Sequence, residues 1–163
     1  MDYAAVADMV ARFGEQELIA LTDPDNNAAM DRARVQRMLA DAQALADGFL
    51  GQAYRLPLAG CVKPPVRKGA AIKQVPPPQL TRIVCDVARY YLHDDLAPEH
   101  EVYRRYQDAM GQLKAIAAGR AQLACPWGGS PGQPLSGDAQ TGQDVRYQFS
   151  PRGADDAHIG GYK

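Results

Sequence analysis

Apolar residues recur at helical spacing through most of the first 118 positions, and polar interruptions cut them into four to five predicted helices. Ala5, Val6, Met9, Val10 and Phe13 define a short first piece. Gly14 breaks it, and Leu18, Ile19 and Leu21 in EQELIAL carry a second. The strongest stripe runs over residues 30–54. Val35, Met38, Leu39, Ala42, Leu45, Ala46, Phe49, Leu50 and Ala53 fall on one face, with Arg32, Arg37, Asp41 and Asp47 opposite. Gly48 and Gly51 weaken the end of this helix and leave room for another helix to cross closely. Pro57 stops it.

Two more helices follow. Residues 79–94 place Leu80, Ile83, Val84, Val87, Tyr91 and Leu92 inward, with Arg82–Asp86 and Asp86–Arg89 as pairs along the helix. Residues 99–118 place Val102, Tyr106, Ala109, Met110, Leu113, Ile116 and Ala117 inward. Pro98 stands at the first turn and Gly119 just past the end.

The turn TDPDNNAAMDRAR looks at first like a calcium loop. With Asp23 at position 1, Asp25 and Asn27 fall at 3 and 5. Position 6 is then Ala28 rather than glycine, and position 12 is Arg34 rather than a bidentate glutamate. The stretch therefore reads as a polar turn whose Asp or Asn caps the following helix.

Residues 55–79 are not helical. Six prolines fix φ and remove donors, and Arg55, Lys63, Arg67, Lys68 and Lys73 stand there without one acid. The segment is either an extended loop or a short hairpin with Gly69 in a turn between Val66 and Ile72. From 121 onward Gly, Pro, Ser and Gln dominate, and the composition implies a flexible linker that buries too little to offset chain entropy. At its far end Val145, Tyr147 and Phe149 alternate with Arg146 and Gln148. This is a strand pattern with no local partner, suited to adding onto another sheet edge. The organisation is thus an all-α bundle over 1–120 with an inserted loop at 55–79, then a linker and strand-like arm over 121–163.

Composition narrows the function. Net charge is −1, so bulk charge points to neither nucleic acid nor an acidic substrate. No apolar run reaches the roughly 18 residues of a membrane helix, and the N-terminus lacks the pattern of a signal peptide. Membrane partners are not expected. Three cysteines without CxxC spacing suggest free thiols in a reducing cytoplasm, with Cys85 a small core residue. His93, His100 and His158 are scattered, so no metal or cofactor is expected. Asp94 and Asp95 read as caps of the next helix rather than an acid/base pair. No set of residues converges on a catalytic motif, and an enzyme is not expected.

Two features remain as candidate surfaces. Tyr90, Tyr91, Tyr103 and Tyr106, beside Arg89, Arg104 and Arg105, read either as half-buried edges of a helix pair or as a base-stacking platform. The basic 55–79 loop suits an acidic partner or phosphate. It also complements the acidic first thirty residues, where Asp2, Asp8, Glu15, Glu17, Asp23 and Asp25 face Arg12 alone, so copies of the chain could meet head to side and close a ring.

The order of three motifs carries a family resemblance: RFG-x-x-E-L-x-x-L-T-D at 12–23, Y-x-LPL at 54–58 and D-x-AR-Y-x-L-x-DD at 86–95. Together they resemble the Mu-like phage and prophage head–tail adaptor family, over residues 1–120 and more loosely through the tail. The resemblance implies a structural virion protein of the neck, made in the host cytoplasm. It implies a homo-oligomeric ring of about a dozen copies beneath the portal protein. Such a ring extends the DNA channel, lets double-stranded DNA pass without sequence specificity, and meets the next neck or tail-completion protein. The arm residues Val145, Arg146, Tyr147, Phe149 and Arg152 are then expected to reach a neighbour, plausibly the portal. Relatives carry a short link where residues 60–79 stand here, and this insertion reads as an intersubunit contact. The alternative is a small nucleic-acid-binding module using the 55–79 loop.

Overall fold

The computed structural model describes residues 1–23, 29–65, 67, 71–93 and 100–135. Five helices and one hairpin follow in chain order: α1 (Val6–Phe13), α2 (Glu15–Thr22), α3 (Arg32–Leu50), β1 (Cys61–Lys63), β2 (Lys73–Val75), α4 (Pro78–Leu92) and α5 (Glu101–Ala117). The fold is a small helical bundle with a short antiparallel hairpin, as the residue pattern implies. The hairpin form of the 55–79 segment is realised, with Cys61 opposite Val75, Val62 opposite Gln74 and Lys63 opposite Lys73. The ladder therefore lies outside the expected Val66–Ile72 turn, and Val66 and Gly69 lie outside the described residues.

Local chemistry sets the helix ends. Gly14 takes φ +84°, which separates α1 from α2 at little cost for a residue without Cβ. Asp31 caps α3, its carboxylate accepting from the Arg34 N–H at 2.9 Å. Thr22 accepts from the Asp31 N–H at 3.1 Å and donates to the Leu18 carbonyl at 2.7 Å, so the LTD motif holds α2 to the start of α3. Asp31 is thus the cap expected of the TDPDNNAAMDRAR stretch, and residues 24–28 lie outside the described residues. His100 caps α5 by accepting from the Val102 N–H, the role expected of Asp94 or Asp95, which lie outside the described residues. At the other end of α5, Gly119 adopts φ +69°. Its N–H reaches the Ile116 carbonyl and that of Arg120 reaches Ala115, closing the helix in a Schellman motif.

α4 is the centre of the bundle and packs on both α3 and α5. Its burial extends beyond one stripe: Thr81, Cys85, Asp86 and Ala88 join the expected Leu80, Ile83, Val84, Val87 and Leu92. A central helix has neighbours on most sides, so its polar positions need partners too. Thr81 donates to the Tyr3 carbonyl. The arginine contacts expected within α4 run between helices instead. Arg89 binds Glu17 of α2 at 2.6 Å and lies over the Phe13 ring, while Arg82 donates to Gln112 of α5. Asp86 faces Arg105 of α5 at 4.0 Å.

The room expected for a helix crossing at Gly48 is not used: a Cβ there would meet nothing within 4 Å, and the same holds at Gly111 in α5. Both are ordinary helical positions, so Gly48→Ala with Gly111→Ala is expected to raise stability by about 1–2 kcal/mol. The check is thermal unfolding, which should shift upward by roughly 2–8 °C.

Candidate functional site

The sharpest departure from the sequence expectation lies after α5. Residues 121–135, whose composition implies an unpacked linker, form a strap fastened across residues 53–61. Leu135 donates its N–H to the Ala53 carbonyl, Arg55 to Gln133, and Gly60 to Pro131. The Leu123 N–H donates to the Tyr54 hydroxyl at 2.8 Å. Leu123 and Pro131 are buried, and a Cβ on Gly132 would stand 2.6 Å from Leu58. The Y-x-LPL motif thus acts through Tyr54 and Leu58, which hold the strap. The strap has few large apolar residues, and main-chain hydrogen bonds join the buried Leu123 and Pro131 in fastening it.

The strap also overturns the reading of three free thiols. Cys61 at the start of β1 is joined to Cys125 by a disulfide, 64 positions apart, while Cys85 is free and buried in α4. Burial pushes the Cys85 thiol up to about 12, which keeps it protonated and unreactive.

The disulfide and strap hold the hairpin base, and the hairpin carries the cations singled out from sequence. Lys63, Arg67 and Lys73 are exposed on it, Arg55 is exposed at its approach, and Lys68 lies outside the described residues. Lys63 and Lys73 stand directly opposite each other in the ladder. Val62, on the opposite face of the ladder, is 52% exposed, and Ile72, next to Lys73 in the chain, is 67% exposed. Trp127, two residues beyond the disulfide, is also exposed. Sequence reasoning marked the charges but not these apolar neighbours, whose exposure only the tertiary fold reveals.

A groove of about 440 Å³ lies between the N-terminal segment and α3. Its floor includes Val6, Leu39, Ala40 and Ala44, and Asp2 and Asp47 line it. Asp47 also accepts from the Tyr3 hydroxyl. Burial and this carboxylate raise the tyrosine pKa. Other acids of the N-terminal region are used internally: Asp8 accepts from the Ala5 N–H, and Glu17 holds Arg89.

A second groove, lined by Arg12, Phe13, Arg82, Asp86, Arg105 and Asp108, opens beside α4 and α5. Burial raises the Asp86 pKa against the pull of the surrounding arginines, Arg105 foremost. A carboxyl with a raised folded pKa stabilises the fold below its ordinary range and loses that contribution as pH rises through the folded value. Asp86→Asn is therefore expected to be more stable than the parent chain at neutral pH. The gap should close as pH falls below the ordinary aspartate range, and urea unfolding between pH 3 and pH 7 measures it.

The tyrosines pack with one another at the α4–α5 edge. Tyr90 and Tyr106 stack at 4.1 Å, and Tyr103 tilts toward Tyr90 at 5.9 Å. Two of the rings thereby cover one face each, which favours the helix-edge reading over a base-stacking platform. Among the described residues no group of three or more His, Cys, Asp and Glu could hold a metal ion. No helix among them is long and apolar enough to cross a membrane. The arm residues Val145, Arg146, Tyr147, Phe149 and Arg152 lie outside the described residues.

The described residues form a strapped helical bundle that carries an exposed basic hairpin. The chain belongs to the family described as Bacteriophage Mu, Gp36, which it matches over residues 3–139. It is similar to gene product J of Escherichia phage Mu, 31% identical over 121 residues and covering 74% of each chain. It is also similar to the Mu-like prophage FluMu protein gp36 of Haemophilus influenzae, 27% identical over 121 residues, again with 74% of each chain covered. The family match runs through the strap and ends before the arm.

Proposed function

We propose that this chain is a structural virion protein, a head–tail adaptor. It assembles as a homo-oligomeric ring between the portal and a tail-completion protein, and the ring extends the DNA channel. The observation that carries the reading is the match to a Mu phage family across the whole bundle and strap. The Cys61–Cys125 bond supports it physically. Disulfides are rare in a reducing cytoplasm and persist on particles released to oxidising surroundings. The adaptor has no catalytic role, and the DNA passes without sequence readout. The arm at 145–152 docks on the portal by strand addition.

The test is a pull-down of the tagged chain from cells producing the parent phage, beside a form lacking residues 140–163. Recovery of a portal-like ring protein at near-equal copy number, lost on truncation, supports an adaptor docked by its arm. Recovery by both forms moves docking to the bundle or hairpin. Recovery of nucleic acid alone overturns the adaptor. The exposed cations of the hairpin favour one second reading, a nucleic-acid-binding module. It requires a duplex affinity that falls steeply with salt, one counterion step per phosphate contacted.

A further inference from the structure

We infer that the basic hairpin of one copy seats in the acidic, apolar-floored groove between the N-terminal segment and α3 of a second copy. The inference rests on the self-assembly proposed above and names the two surfaces that meet. Lys63 and Lys73 oppose each other directly across the ladder, an arrangement of like charges that is unfavourable on its own. Neither has an ion-pair partner among the described residues. Val62 and Ile72 are exposed next to them in the chain, Val62 on the opposite face of the ladder because successive strand residues alternate. A cleft that takes in this hairpin must therefore offer carboxylates to one of its faces and apolar surface to the other.

The groove offers both. Asp2 is exposed at its rim, and Asp47 gives one oxygen to Tyr3 and keeps the other for a cation. The half-buried Val6 and the exposed Ala40 and Ala44 supply apolar lining that Val62 or Ile72 would cover. Burying branched side chains supplies affinity, while the opposed charges set register and suppress wrong pairings. Because hairpin and groove are different surfaces, a contact from one copy to the next is heterologous and repeats until a ring closes.

The experiment uses the full chain in light and isotopically heavy forms, mixed over about 1 μM to 1 mM and followed by sedimentation and carbodiimide crosslinking. Expected are oligomers, with light-to-heavy amide bonds joining Lys63 or Lys73 to Asp2 or Asp47. Lys63→Glu with Lys73→Glu should weaken self-association at least ~100-fold. Mixing that variant with Asp2→Lys should recover association that neither shows alone. Oligomers that persist unchanged in the Lys63→Glu, Lys73→Glu variant overturn this contact and leave ring assembly standing. A parent chain that stays monomeric with no interchain bond overturns the contact and the free-chain assembly together. Binding of duplex DNA through the hairpin, without self-association, overturns it in favour of the nucleic-acid reading.

Discussion

Tyr54→Ala is expected to cost about 3–5 kcal/mol, the range for removing a large buried aromatic side chain. Tyr54 is 3% exposed at the point where the chain leaves α3, and its ring belongs to the core. Its hydroxyl also accepts the Leu123 N–H, a main-chain donor buried with the strap. Tyr54→Phe keeps the ring and deletes only that acceptor, so it should cost about 1–3 kcal/mol, the penalty for a buried donor left unpaired. Against a total stability on the order of 5–15 kcal/mol, the alanine variant approaches the folding threshold. Urea unfolding of the three proteins gives the ranking parent, Tyr54→Phe, Tyr54→Ala. A phenylalanine variant as stable as the parent would show that the strap does not depend on this bond.

Loss of the disulfide ranks next. Cutting the Cys61–Cys125 link, by Cys125→Ser or by reductant, is expected to remove about 2–4 kcal/mol. The link closes 64 positions of chain, so most of its effect lies in restricting the unfolded state. The variant and the reduced parent should agree in stability, and reductant should leave Cys125→Ser unchanged. Thiol labelling supplies the independent check. The oxidised native protein should show no reactive thiol, because its one free cysteine, Cys85, is buried and held protonated. Unfolding without reductant should reveal that single thiol. Three reactive thiols after unfolding without reductant would contradict the link.

What the chain pattern revealed and what it concealed have separate physical causes. Helix faces are local, so Met9, Leu18, Val35, Leu39, Leu80 and Leu113 were legible from spacing, as were the break at Gly14 and the stop at Gly119. The strap was not, because its anchors are few and distant. Leu123 and Cys125 find partners at Tyr54 and Cys61, and no periodicity records such pairings. An odd cysteine count even argued the other way. α3 ends at Leu50, four residues short of its apolar stripe, because Gly51–Ala53 turn to deliver Tyr54 to the strap. Asp86 reads as a surface partner of neighbouring arginines until α5 closes over it. For the candidate site, the cations between 55 and 79 were visible and their hairpin was one of two readings. Their apolar neighbours and the groove beside α3 emerge only when Val62, Ile72 and the α3 face are placed in space.

The proposed place of this chain as a stoichiometric part of the particle's neck is tested most directly by its copy number in purified, DNA-filled particles. Quantitative mass spectrometry of such particles should find the chain at near-equal numbers to the portal protein. Its presence in producing cells but absence from the particles, or numbers matching the capsid shell, would contradict the account.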